Sequence, residues 1–269
     1  MYLKLSIFLV FLVGSVFLET AFALTDPILI TVSPDMEKVI FDGKWTFYTE
    51  WKPSSLYTIS LDDKQVILRT AHYEDFIYVF VDSISDFTLD KGVDKATICF
   101  DGQNNKSQLS DKNDYCFSSA LGHKQGIVFQ GGTINGLTGN FQKISNPDNF
   151  IAISSISDKN DRYTEIPHPS YEFKIPIDLI KRSDNYGFYL STYDASSDTF
   201  YSFPKETIRE NLKIPSPSKW GDIISPDKSL PEFPLPLLIF AIMILSLVLL
   251  QSKIPVIKIK SNWYFFWVW

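Results

Sequence analysis

Two uncharged apolar stretches, residues 5–18 and 235–250, bracket the chain, and between them apolar and polar positions alternate in short runs. A period near two is the mark of strands that bury one face. Residues 66–73 and 76–82 are β-branched and aromatic runs separated by Glu74 and Asp75, and they predict a hairpin. Residues 94–101 and 114–118 predict a second antiparallel pair, with Cys99 and Cys116 across from each other. Shorter strands are expected at 126–130, 150–154, 171–175 and 186–193, and an aromatic-rich strand at 46–51 after the Asp42-Gly43 turn pair. Residues 24–36, with Pro27 and Pro34, are too broken for a helix, and only 178–181 suggests a helical turn. The fold class that follows is all-β, an antiparallel β-sandwich of jelly-roll type.

The two ends read as different signals. Lys4, the apolar run and Ala21-Phe22-Ala23 have the layout of a cleaved secretory signal peptide, residues 1–23. The second run carries no charge and no polar face, so a transmembrane helix over 233–253 is expected rather than a core helix. Lys253, Lys258 and Lys260 follow it without an acid, which places the N-terminus outside and the tail, 254–269, in the cytoplasm. Residues 24–215 are then the sandwich domain, and 216–232, with Pro217 and Pro226, a stiffened linker holding Trp220. The expected location is the outer face of the cell membrane.

Composition narrows the partners. With 25 basic and 31 acidic residues the net charge is −6, and no basic block precedes the second apolar run, so nucleic acid is excluded. The domain's only cysteines, Cys99 and Cys116, predict a disulfide in an exported protein. Zinc ligation is the alternative reading, and it lacks a histidine set nearby beyond His123. No Gly-x-Ser-x-Gly, His-Glu-x-x-His or phosphate loop is present, so catalysis finds no support in motifs.

Four pieces of the sequence carry a resemblance: 41–45 (Phe-Asp-Gly-Lys-Trp), 71–82, 94–101 and 171–177. Their order and spacing resemble family 9 carbohydrate-binding modules and the related DOMON sandwiches. The resemblance implies non-catalytic binding of a glycan or cell-envelope polysaccharide by stacked aromatic rings, beside structural calcium. Candidate platforms are Trp45, Trp51, Tyr57 and Tyr73, with a core role as the alternative for each. For Ca2+, which requires hard oxygen ligands, Asp82, Asp86, Asp90, Asp94 and Asp101 lie close in sequence, and Asp111, Asn113 and Asp114 form a second group. Solvated turn acids are the competing reading, and the EF-hand spacing is absent. The haem branch of the DOMON group implies axial Met and His ligands, for which Met36, His72, His123 and His168 are the material; haem is not expected. Residues 231–234, Pro-Glu-Phe-Pro, ahead of an apolar span and a lysine, resemble the C-terminal sorting signals of archaeal surface proteins. That resemblance implies an archaeosortase-type protease as a partner. An electron-transfer domain and a structural envelope protein remain as alternative functions.

Overall fold

The computed structural model describes residues 26–61, 63–132, 141–205, 207 and 213–225. In chain order the strands are β1 (Ile28–Leu29), β2 (Thr31–Val32), β3 (Ser55–Leu61), β4 (Lys64–Tyr73), β5 (Phe76–Asp82), β6 (Lys95–Asp101) and β7 (Asp114–Ala120). They continue with β8 (Ile127–Gln130), β9 (Gln142–Ile144), β10 (Ile151–Ile156), β11 (Pro169–Pro176), β12 (Asn185–Asp194), β13 (Thr199–Phe203) and β14 (Gly221–Ile224). A short helix, α1 (Ile177–Ile180), supplies the expected helical turn.

Two sheets result. The larger runs β1-β14-β12-β6-β7-β8-β9, with β13 beside β12; the smaller runs β10-β11-β5-β4-β2, with β3 beside β4. Both expected hairpins form, and Cys99 is registered directly on Cys116. Their Sγ atoms are bonded, with the Cα atoms 4.0 Å apart.

Side chains facing the gap between the sheets follow the period of two: Val79 and Val81 on β5, and Phe173 and Ile175 on β11, meet Ile98 and Phe100 on β6 and Phe188 on β12. Each such residue removed from water contributes about 1.5–3 kcal/mol. The outer faces are covered as well. Tyr78 and Phe80 lie beneath Trp45, Trp51 and Met36, while Cys99, Cys116 and Tyr189 lie beneath Trp220. Central strands buried on both faces lose the clean in–out alternation, which is why β5 and β6 read as nearly unbroken apolar runs.

Three sequence expectations are corrected here. The sheets are mixed rather than purely antiparallel, because β1 runs parallel to β14 and β2 parallel to β4. The N-terminal segment crosses from the edge of one sheet to the edge of the other, and its two short strands join whichever edge they reach. Residues 46–51 form successive turns, with Glu50 N donating to Phe47 O and Lys52 N to Thr49 O, in place of a strand. Finally, the start of the expected linker, 216–232, belongs to the sandwich. Pro217–Lys219 is a 3-10 turn, and β14 pairs with β12 from Asn185↔Ile224 to Phe188↔Gly221. Trp220 is 4% exposed and stacks on Tyr189 and Phe141 at 6.3 and 6.2 Å. Among the described residues no helix is long and apolar enough to cross a membrane. The expected signal peptide, transmembrane helix, sorting signal and tail lie outside the described residues.

Candidate functional site

The predicted aromatic platforms separate into core and half-buried rings. Trp45 and Trp51 are buried to 1% and 0% exposure, so neither offers a face to a ligand. Trp51 stacks on Phe80 at 5.3 Å and donates through Nε1 to Glu172 Oε1 at 2.9 Å. Trp45 packs edge-on to Phe80 and donates to Phe47 O. Glu172 also accepts from Gly43 N at 2.7 Å, and Ser170 Oγ donates to Gly43 O at 2.8 Å. Gly43 has φ +91°, and a Cβ there would come within 2.4 Å of the Ser154 backbone carbon. The two motifs at 41–45 and 171–177 are therefore halves of one buried seam. Burial holds the Glu172 carboxyl well above its ordinary range, against the two donors.

Tyr57 and Tyr73 are half-buried. Tyr57 meets Phe203 edge-on at 5.3 Å, and Tyr73 packs at the margin of the Trp45–Trp51 cluster. Met36 is 1% exposed in that same cluster. His72 Nε2 lies 2.6 Å from Glu74 O, and His168 is bound to Asp82.

The predicted metal carboxylates also separate. Asp101 stays apart: its two oxygens accept from Gln103 N and Lys106 N and shape the turn after β6. Asp111 likewise accepts from Asn113 N, and Asp114 from Asp111 N. Burial pushes Asp114 up to about 7. Asp82 ends β5 against His168, on the outer face of the smaller sheet.

Asp86 and Asp94 do meet, and Asp194 joins them; one ligand atom from each lies within 4.8 Å of the others. All three close one end of the sandwich, at the connection from β5 to β6 and at the end of β12. Each is already tied to backbone. Asp86 Oδ1 accepts from Thr88 N, Asp94 accepts from Asp90 N and Ala195 N, and Asp194 Oδ1 accepts from Ser196 N. Burial pushes Asp86 up to about 6 and raises Asp94. At Asp194 burial is outweighed by the Ser197 and Ser196 donors, and its carboxyl falls below its ordinary value. Three carboxylates at one point suit a hard divalent cation with oxygen ligands. Asp194 lies one residue beyond the expected strand 186–193, and its local signal is a carboxylate at a strand end before Ser196 and Ser197.

A shallow cleft, with about 10 Å3 of enclosed space, opens beside this cluster, lined by Lys64, Gln65, Asp86, Thr192, Tyr193 and Tyr201. Tyr193 is half-buried, lies 4.6 Å from Phe200 and donates to Asp198. Phe87, 57% exposed, stands near with Lys64 Nζ 5.8 Å from its ring. It is far too shallow to engulf a ligand, so a ligand there would lie across the surface rather than enter a pocket. A second hollow of about 270 Å3 is lined by Asp35, Lys38, Phe47, Thr49, Glu50 and Pro53. Its neighbour Tyr48 carries Lys52 and Arg162 near its ring, at 5.1 and 5.6 Å, much as Tyr193 carries Lys95 at 5.2 Å.

No protein-family model matches the sequence, and no curated protein matches it. Among solved structures, the chain is similar to a family 9 carbohydrate-binding module from Caldicellulosiruptor kristjanssonii in complex with cellotriose. The TM-score is 0.48 at 11% identity, over 74% of this chain and 93% of that one. A family 9 module from that organism in complex with glucose gives 0.47 at 10% identity, over 74% and 95%.

Proposed function

We propose that the domain is a non-catalytic glycan-binding module displayed on the outer face of the cell membrane. The observation that carries this reading is the cleft at the acid end of the sandwich. There the partly exposed rings of Tyr193 and Phe87 stand beside the hydrogen-bonding groups of Lys64, Gln65 and Asp86. A pyranose has an apolar face and an equatorial rim of hydroxyls, so a ring for the face and polar side chains for the rim are the groups its recognition requires. Ca2+ held by Asp86, Asp94 and Asp194 would offset the charge of three buried carboxylates and stiffen the loops that frame the cleft.

Export by residues 1–23 and tethering by 233–253 complete the reading, with an archaeosortase-type protease acting at the sorting motif. A glycan array probed with the purified full chain tests it, once in Ca2+ and once in excess chelator. The expected result is retention on a restricted set of glycans that weakens in chelator. No retention under either condition would overturn the reading.

A further inference from the structure

We propose that Asp82, Asp161 and His168 form a buried site for a divalent transition-metal ion, with Zn2+ as its probe, between the outer face of the smaller sheet and residues 157–168. The three ligand atoms lie within 4.8 Å of one another. His168 Nε2 is 2.6 Å from Asp82 Oδ1 and 3.9 Å from Asp161 Oδ2. The side chains of His168 and Asp82 are 0% exposed and that of Asp161 is 1% exposed.

Hydrogen bonding prepares the imidazole as a ligand. His168 Nδ1 lies 2.7 Å from Ile166 O, a carbonyl that can only accept, so Nδ1 carries the proton. Ser157 Oγ, 2.9 Å from Nδ1, supports the same ring from the loop side. In the neutral ring the Nε2 lone pair then points at the two carboxylates. A carbonyl on the far nitrogen that sets tautomer and orientation is the usual support of a metal-bound histidine.

The carboxylates present unused oxygens to the same point. Asp161 Oδ1 accepts from Tyr163 N and Thr164 N, while Asp161 Oδ2 and Asp82 Oδ2 are buried with no hydrogen-bond partner. An unpaired buried carboxylate oxygen is costly, and a cation removes that cost twice over.

Charge points the same way. Glu50, Asp82, Asp161 and Glu172 are buried on or over this face, and Arg69 is the buried guanidinium among them. Arg69 is directed at Tyr163 OH and Ser54 O. The donor set decides the class of ion. One imidazole nitrogen with two carboxylate oxygens suits Zn2+ or a neighbouring transition ion, whereas the all-oxygen set of Asp86, Asp94 and Asp194 suits Ca2+.

The test uses the purified full chain, stripped with chelator and refolded with Zn2+ or Co2+. One equivalent should bind, Co2+ should give visible ligand-field bands that Zn2+ abolishes, and the melting temperature should rise by several degrees. Asp161→Asn and His168→Gln should each weaken binding by tenfold or more, and Asp94→Asn should leave it unchanged. Absence of both the Co2+ bands and the thermal shift in the wild-type chain would overturn the proposal and leave a shared proton in the site. So would binding that survives both substitutions.

Discussion

Glu172 stands in a stretch that reads in sequence as part of a binding module, yet its carboxylate is directed inward, at Gly43 N and Trp51 Nε1. Each of these buried donors left without an acceptor costs about 1–3 kcal/mol. Glu172→Ala should therefore lower the unfolding free energy by roughly 3–5 kcal/mol in urea denaturation. Glu172→Gln, which keeps one acceptor, should cost less than half as much. Equal, small losses for both would show that the seam does not hold the N-terminal loop. The same seam puts Trp45 and Trp51 in the core instead of on a ligand face. Two tryptophans in a turn-rich stretch are equally consistent with a ligand face and with a lid, and only the partners Phe80 and Glu172, well over a hundred positions away for the latter, decide between them. The acids were partly legible: Asp86 and Asp94 are near in sequence, but Asp194 arrives from the far end of the domain.

At the scale of elements, the long central strands were visible because β4, β5, β6 and β12 carry enough β-branched and aromatic residues to show their character locally. The strands that escaped are mostly short. β1 and β2 have two residues each, β9 has three and β14 has four, and a few residues show no period. Their hydrogen bonds come from an edge already built by other strands, so tertiary pairing rather than local sequence makes them. The β6–β7 hairpin is the element that a covalent bond fixes. Cys99 and Cys116 close a loop with a sequence separation of 17, which corresponds to about 3 kcal/mol in the chain-entropy account. Reducing the bond should lower the unfolding free energy extrapolated to water by about that amount and move the urea midpoint downward. An unmoved midpoint would mean that β12 and β8, which flank the hairpin, hold it unaided.

At the scale of the whole molecule, the sandwich is a shared core between two sheets with a second buried layer on each outer face. Those layers take most of the large aromatics out of contention for a ligand and leave the partly exposed rings at the acid end beside the cleft. The sandwich class was readable from strand spacing, while the location of an open face was not, since burial on both sides of a strand erases the alternation that would mark it. The central claim is that a glycan binds at this cleft, and the direct measurement is a calorimetric titration of an array-selected glycan into the wild-type chain, Tyr193→Ala and Phe47→Ala, in Ca2+. Tyr193→Ala should weaken binding about tenfold or more, the equivalent of about 1.4 kcal/mol, with Phe47→Ala at the second hollow unchanged. Loss of binding in Phe47→Ala with Tyr193→Ala intact, or no heat from any of the three, would contradict it.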